Sequence, residues 1–242
     1  MSESKTLHPA EVTKLEAETA KALAEADAAK ALARKHEADA REAEVQARMD
    51  EISLEKQEHE RKARLAGNEY HHVYYFNSGV SSSSVNEALR KLTEWHRLDE
   101  EAGELRDIEI IFNSPGGSVI DGMALFDFIQ YLRRAGHRVT TGTLGYAASM
   151  GGILLQAGDV RWMGKEAYVL IHEISAGTGG KIGEMKDDVK FYEKMCSRVV
   201  DIFLDRADGK ITKKRFTDSW ARTDWWLDSD ECLKNGFVDE VR

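Results

Sequence analysis

Gly145-Tyr146-Ala147-Ala148-Ser149-Met150-Gly151-Gly152 follows the β-branched run Val139–Leu144 and leads into Ile153-Leu154-Leu155. The change from strand residues, through small ones, to an apolar helix predicts a strand (139–144), a sharp corner and a helix (149–157). On one side, Ile108–Phe112 reads as a buried strand ending in Asn113-Ser114-Pro115-Gly116-Gly117. After it, Val119 to Leu132 has the spacing of an amphipathic helix closed by Gly136. On the other side, Tyr168–Ile171 reads as a strand that ends at His172, and Lys181 to Asp205 as a long helix followed by shorter ones. Strand–helix–strand units joined by short links make an α/β fold, a largely parallel sheet covered by helices.

Before this core, the aromatic run Tyr70–Phe76 reads as a further strand. Ser84-Val85-Asn86-Glu87 has the form of a capping box, opening a helix with Val85, Leu89 and Leu92 as its apolar stripe.

Pro9 to Leu65 obeys different physics. Ala, Glu, Lys and Arg dominate, glycine is absent, and Pro9 suits a first helical turn. Glu37 with Arg41, Glu44 with Arg48, Glu58 with Lys62 and Glu60 with Arg64 stand at ion-pair spacing. One long helix is expected, ended near Gly67-Asn68, so the chain divides into a charged helix (1–66) and a second domain (67–242). Val45, Met49 and Ile52 follow coiled-coil spacing, whereas Val12, Leu15, Leu23 and Leu32 do not continue one heptad register. A weak Ala-rich coil and a solvated helix both fit; self-association or partner binding is the expectation retained.

Composition narrows the function classes. The 242 residues carry a net charge of −9, opposite to the basic stripe of a nucleic-acid binder. No apolar run approaches the roughly 20 residues that span a bilayer, and Met1-Ser2-Glu3-Ser4-Lys5 lacks a signal peptide's apolar stretch, so a cytoplasmic protein is expected. Cys196 and Cys232 have no metal-ligand spacing and read as packing residues. His71 and His72 adjoin, but neighbours on a strand point to opposite faces. Neither a metal nor a cofactor is expected, and no phosphate-binding G-x-x-x-x-G-K-[ST] loop occurs.

The corner at Ser149 points to acyl chemistry. A serine hydroxyl needs a base and a place for the oxyanion. Projection from a strand-to-helix corner would expose the hydroxyl and leave the Met150 N–H free at a helix start. Ala147 stands where a G-x-S-x-G elbow needs glycine, so an α/β-hydrolase is disfavoured. A small residue at a tight helix contact would read the same way. Gly116-Gly117 suits an amide donor brought close to substrate, and equally an ordinary strand-to-helix turn. His172 is a candidate base by its chemistry, though histidines that end apolar strands commonly just pack. For the acid that orients it, Asp218, Asp224, Asp228 and Asp230 all remain candidates by spacing.

Asn113–Gly117, Gly122-Met123-Ala124-Leu125-Phe126-Asp127, Ala147–Gly151 with Leu154-Leu155 and Ala157-Gly158, and Ile171-His172 together resemble the proteolytic subunit of Clp protease. The resemblance runs from about Val73 to Val241. It implies the ClpP/crotonase-like fold and an ATP-dependent type of serine endopeptidase, with Ser149 as nucleophile, His172 as base and Asp224 as the acid. It also implies backbone N–H groups of Gly117 and Met150 as oxyanion donors. Ala176-Gly177-Thr178-Gly179-Gly180 resembles the family segment that lines the substrate channel. Homo-oligomeric rings of stacked heptamers, an AAA+ unfoldase partner and protein or peptide substrates follow from the same resemblance. Glu173-Ile174 stands where the family carries a proline shortly after the histidine.

The long helix also resembles the extensions of phage head-maturation proteases, which act on scaffold and capsid proteins. A non-catalytic coiled-coil assembly protein with a Clp-like domain is a further alternative. A crotonase-type acyl-CoA enzyme would share the fold but leave the serine and histidine blocks unexplained.

Overall fold

In the computed structural model, which describes residues 8–242, the Ala- and Glu-rich segment is a single helix, α1 (Pro9–Ala66). Its 58 residues extend about 87 Å at 1.5 Å per residue. None is buried, and Leu15, Leu23, Leu32, Val45, Met49 and Leu54 are all exposed. Arg41 pairs with Glu37 at 2.8 Å, but Arg48 turns to Glu51 rather than Glu44, and Glu60 lies 3.9 Å from Lys56. Such exposed pairs contribute a few tenths of a kcal/mol each, so alanine's helix propensity also matters. Two compact units divide the chain between residues 63 and 64.

The second unit departs from the sequence reading at its start. Asn68–His71 coil into a short helix, α2, and strand β1 begins only at Val73 (Val73–Phe76). The break is His72, whose backbone is left-handed (φ 52°) and whose buried ring stacks on Trp95 with centroids 4.6 Å apart. Helix α3 (Ser82–Ala102) starts ahead of the expected cap. Ser81 is the N-cap, accepting the Ser84 N–H at 3.3 Å, while the Ser84 hydroxyl accepts the Ser81 N–H at 3.0 Å. The serine run thus supplies both halves of the capping box itself, and Glu87 is not needed.

The remaining elements are β2 (Ile108–Ser114), α4 (Val119–Ala135), β3 (Val139–Ala148), α5 (Met150–Leu155), β4 (Val160–Met163), β5 (Tyr168–Ile171) and α6 (Ile182–Ala207). They continue with α7 (Lys213–Trp220), β6 (Trp225–Leu227), α8 (Ser229–Asn235) and β7 (Glu240–Val241). The order β1-β2-β3-β4-β7 is parallel throughout, and β5 joins β3 in parallel while β6 adds to β5 antiparallel. This mixed α/β fold of β-α-β units is the one expected, with β4, β6 and β7 as additions to the sequence reading.

One strand organises the site. The first half of β3 lies between β2 and β4, pairing through Thr143 with Phe112 and Met163. A bulge follows, passing through Gly145 at φ 79°, and the second half, Tyr146–Ala148, takes β5 as its new neighbour. Beneath the sheet, Leu125, Ile129 and Leu132 of α4 are fully buried together with Phe112 and Leu154. In the same core, the aromatic group Phe203, Phe216, Trp220, Trp225 and Phe237 binds α6 and α7 to β6. No helix among the described residues is long and apolar enough to cross a membrane.

Candidate active site

Ser149 is the residue at which β3 stops and α5 starts. Its backbone has φ 55° and ψ −123°, a conformation an L-residue holds only under constraint. The constraint is visible: the Ser149 N–H donates to the Leu170 carbonyl of β5 at 2.9 Å, continuing the Ala148–Leu170 register by one residue. Because β5 runs parallel beside it and ends at Ile171, His172 emerges next to Ser149. The two side chains meet, with His172 Nε2 2.7 Å from Ser149 Oγ. With the serine hydroxyl donating to Nε2, the remaining ring proton sits on Nδ1.

Nδ1 faces Asp224, whose Oδ1 lies 3.6 Å away. Asp224 stands immediately before β6, and the antiparallel pairing of Trp225 with Ile171 brings residues 224 and 172 opposite one another. The other three aspartates are engaged elsewhere: Asp218 pairs with Lys214, Asp228 caps α8 through the Glu231 N–H at 2.9 Å, and Asp230 lies 2.8 Å from Lys165.

The Gly116-Gly117 turn packs directly on this corner. A β-carbon at Gly116 (φ 85°) would fall 2.6 Å from the Ala148 carbonyl oxygen and 2.6 Å from Ser149 Cβ. One at Gly117 (φ 144°) would fall 2.2 Å from the Val80 oxygen. The turn is therefore held by Val80, whose N–H donates to Gly116 O and whose oxygen accepts the Ser118 N–H, both at 2.8 Å. Among the described residues, the N–H groups of Gly117 and Met150 donate to no protein acceptor. Both residues border the same cavity of about 210 Å³ as Ser149 and His172, with Val119, Ile153, Val199 and Phe203 as apolar walls.

Four of the five residues named from the sequence thus line one cavity, and Asp224 lies outside it, in an exposed depression on the far side of His172. Two features went unread. Ser114 is fully buried, and its hydroxyl accepts the Gly116 N–H at 3.2 Å, shaping the turn. Glu173 accepts the Arg222 N–H at 3.1 Å, a contact between residues 49 apart that no local pattern signals. Of the cysteines, Cys196 is half-buried and Cys232 buried, and burial pushes the Cys232 thiol well above its ordinary range, which keeps it unreactive. Among the described residues no group of three or more His, Cys, Asp or Glu is placed to hold a metal.

Residues 73–242 match the Clp protease family model. The chain is 33% identical over 172 residues to ATP-dependent Clp protease proteolytic subunit 1 of Leifsonia xyli subsp. xyli, covering 70% of this chain and 82% of that protein. It is 31% identical over 172 residues to proteolytic subunit 2 of Tropheryma whipplei, covering 70% and 90%. It is 36% identical over 141 residues to the proteolytic subunit of Streptococcus mutans, covering 56% and 68%.

Proposed function

The chain belongs to the Clp protease family and is a serine-type peptidase, and we propose that it is an endopeptidase working through Ser149, His172 and Asp224 inside a ring-shaped homo-oligomer. The observation that carries the mechanism is the 2.7 Å contact between His172 Nε2 and Ser149 Oγ at the mouth of an apolar cavity.

The reaction runs in two halves. As Ser149 Oγ attacks the peptide carbonyl carbon, its proton passes to His172 Nε2, and the carbonyl oxygen becomes an oxyanion. The unpaired N–H groups of Gly117 and Met150 receive that charge, with the start of α5 adding its dipole. His172 then returns the proton to the leaving amine nitrogen as the C–N bond breaks. Water attacks the acyl-serine, giving its proton to His172, and the acid product leaves as Ser149 recovers its own. Asp224 balances the imidazolium charge from the Nδ1 side. The apolar walls favour an apolar side chain on the acyl side of the scissile bond.

An ATP-dependent unfoldase partner rests on the names of the relatives, which are ATP-dependent proteolytic subunits. Residues 67–242 form the peptidase domain in this reading, and residues 1–66, the first seven of which lie outside the described residues, a separate partner-binding or self-associating region built on α1. Its support is the absence of any buried residue in α1.

Fluorophosphonate labelling of the purified protein tests the mechanism. The wild type should label at one serine and cleave fluorogenic peptides. Ser149→Ala should lose labelling and lower turnover by roughly 10⁶-fold. Persistent labelling in that variant would show that another residue is the nucleophile.

A further inference from the structure

The acid proposed above sits on an unusually bare piece of chain. Between Trp220, the end of α7, and Trp225, the start of β6, lie four residues, all of them exposed. Trp225 is held by its ladder pairing to Ile171 and by packing on Phe216 and Phe237. From that side the position of Asp224 is set only to within a rotation about one residue. From the other side the chain must turn sharply, and Arg222 does so with a left-handed backbone (φ 55°), which costs a non-glycine residue about 1 kcal/mol or more.

The turn is closed on α7 by the Thr223 N–H donating to the Trp220 carbonyl at 3.3 Å, and Glu173 ties it to the β5 side, next to the histidine. Glu173 follows His172 directly, beyond the last ladder pair, and the β5–β6 register places it across from Thr223. Its Oε2 accepts the Arg222 N–H at 3.1 Å. One short stretch of chain, His172-Glu173, thus carries both the proposed base and the group that grips the turn next to the proposed acid. His172, Glu173, Arg222, Thr223 and Asp224 together line one surface depression. We propose that Glu173 is a positioning residue: its carboxylate pins the Arg222 turn and so holds Asp224 against His172 Nδ1.

This inference rests on the proposed roles of His172 and Asp224, and its test separates the two. Glu173→Ala removes the acceptor, whereas Glu173→Gln keeps a carbonyl oxygen in its place and removes only the charge. In the full-length chain, Glu173→Ala should lower kcat by roughly tenfold to hundredfold with KM almost unchanged, as a small misplacement of a supporting group does. Glu173→Gln should restore most of that loss. Adding Glu173→Ala to Asp224→Ala should cost nothing further, because the grip matters only through Asp224. Wild-type kcat in Glu173→Ala, equal damage in Glu173→Gln, or additive losses in the double variant would each overturn the proposal.

A readout independent of turnover uses trypsin in the Ser149→Ala background. Cleavage after Arg222 should be roughly tenfold faster with Glu173→Ala than with Glu173→Gln, with cutting at other sites unchanged, because a gripped turn resists the extended conformation a protease needs. Equal rates at Arg222 would overturn the proposal. A wild type that neither labels nor cleaves peptides sinks the peptidase mechanism, and the trypsin rates then decide whether Glu173 holds the turn.

Discussion

Ser149 has a backbone that its own chemistry does not favour, and the surrounding contacts explain why it stays there. The Leu170 carbonyl takes its N–H, and Gly116 fills the space against its β-carbon so closely that no other residue fits. Gly116→Ala would drive a methyl group into the Ala148 carbonyl and Ser149 Cβ while imposing a φ of 85° on a side-chain-bearing residue. The expected outcome is a folded protein, by circular dichroism, whose fluorophosphonate labelling falls at least roughly 10²-fold, because the turn carrying the Gly117 N–H must move. Labelling at the wild-type rate would show that the turn is not coupled to the serine. The serine, the glycine pair and the histidine were all legible in the sequence, since each sits at a strand end marked by small residues or by a break in apolar pattern. Choosing among four aspartates needed coordinates, or a family resemblance, because their local patterns are alike.

Among the elements, the long periodic ones were the most readable. α4 and α6 carry enough turns for an apolar face to repeat, and β2 and β3 enough β-branched residues to stand out. Strands β6 and β7 have three and two residues, too few for any period to register. The start of α3 was misplaced by three residues because a run of four serines offers several equivalent caps, and only the geometry selects Ser81. Ser81→Ala should therefore destabilise the protein by about 1 kcal/mol, read as a lower denaturant midpoint at constant slope. Ser84→Ala, which leaves the Ser81 acceptor in place, should cost less. Equal losses would mean that the two hydroxyls act as one network.

At the scale of the whole molecule, the two units differ in what holds them. No residue of α1 is buried, and Leu65, near its end, is half-covered and falls on the second unit's side of the division. A chain starting at Gly67 should keep the thermal midpoint of the second unit to within about 2 °C, well below the shift that about 1 kcal/mol of lost stability would bring. A large fall would show that the helix is part of that unit's fold. The second unit should also be acid-sensitive. Burial holds the His72 imidazole below its ordinary pKa, against the opposing pull of Asp99 and Glu69, with Arg106 and His137 adding to the depression. The unfolded chain then binds a proton more readily than the folded one. Stability is undiminished above about pH 6.5 and declines as pH falls from there through the lowered folded value. Calorimetric midpoints between pH 7.5 and 5 should fall accordingly, and His72→Asn, which tolerates the left-handed backbone, should flatten that decline. An unchanged slope would assign the acid sensitivity to other groups.

The amino-acid sequence by itself determined what depends on neighbours along the chain: the uninterrupted charged helix, the alternation of strands and helices, the serine at a strand-to-helix corner and the glycine turn that could approach it. These follow from propensity, periodicity and side-chain size, which act over a few residues. Tertiary structure decided which distant groups meet. The bulge in β3 hands its second half to β5 and so sets His172 beside Ser149; the pairing of β6 with β5, with the grip of Glu173 on Arg222, brings Asp224 to the imidazole. Register between strands is set by packing across the whole sheet, and no short stretch of chain carries that information.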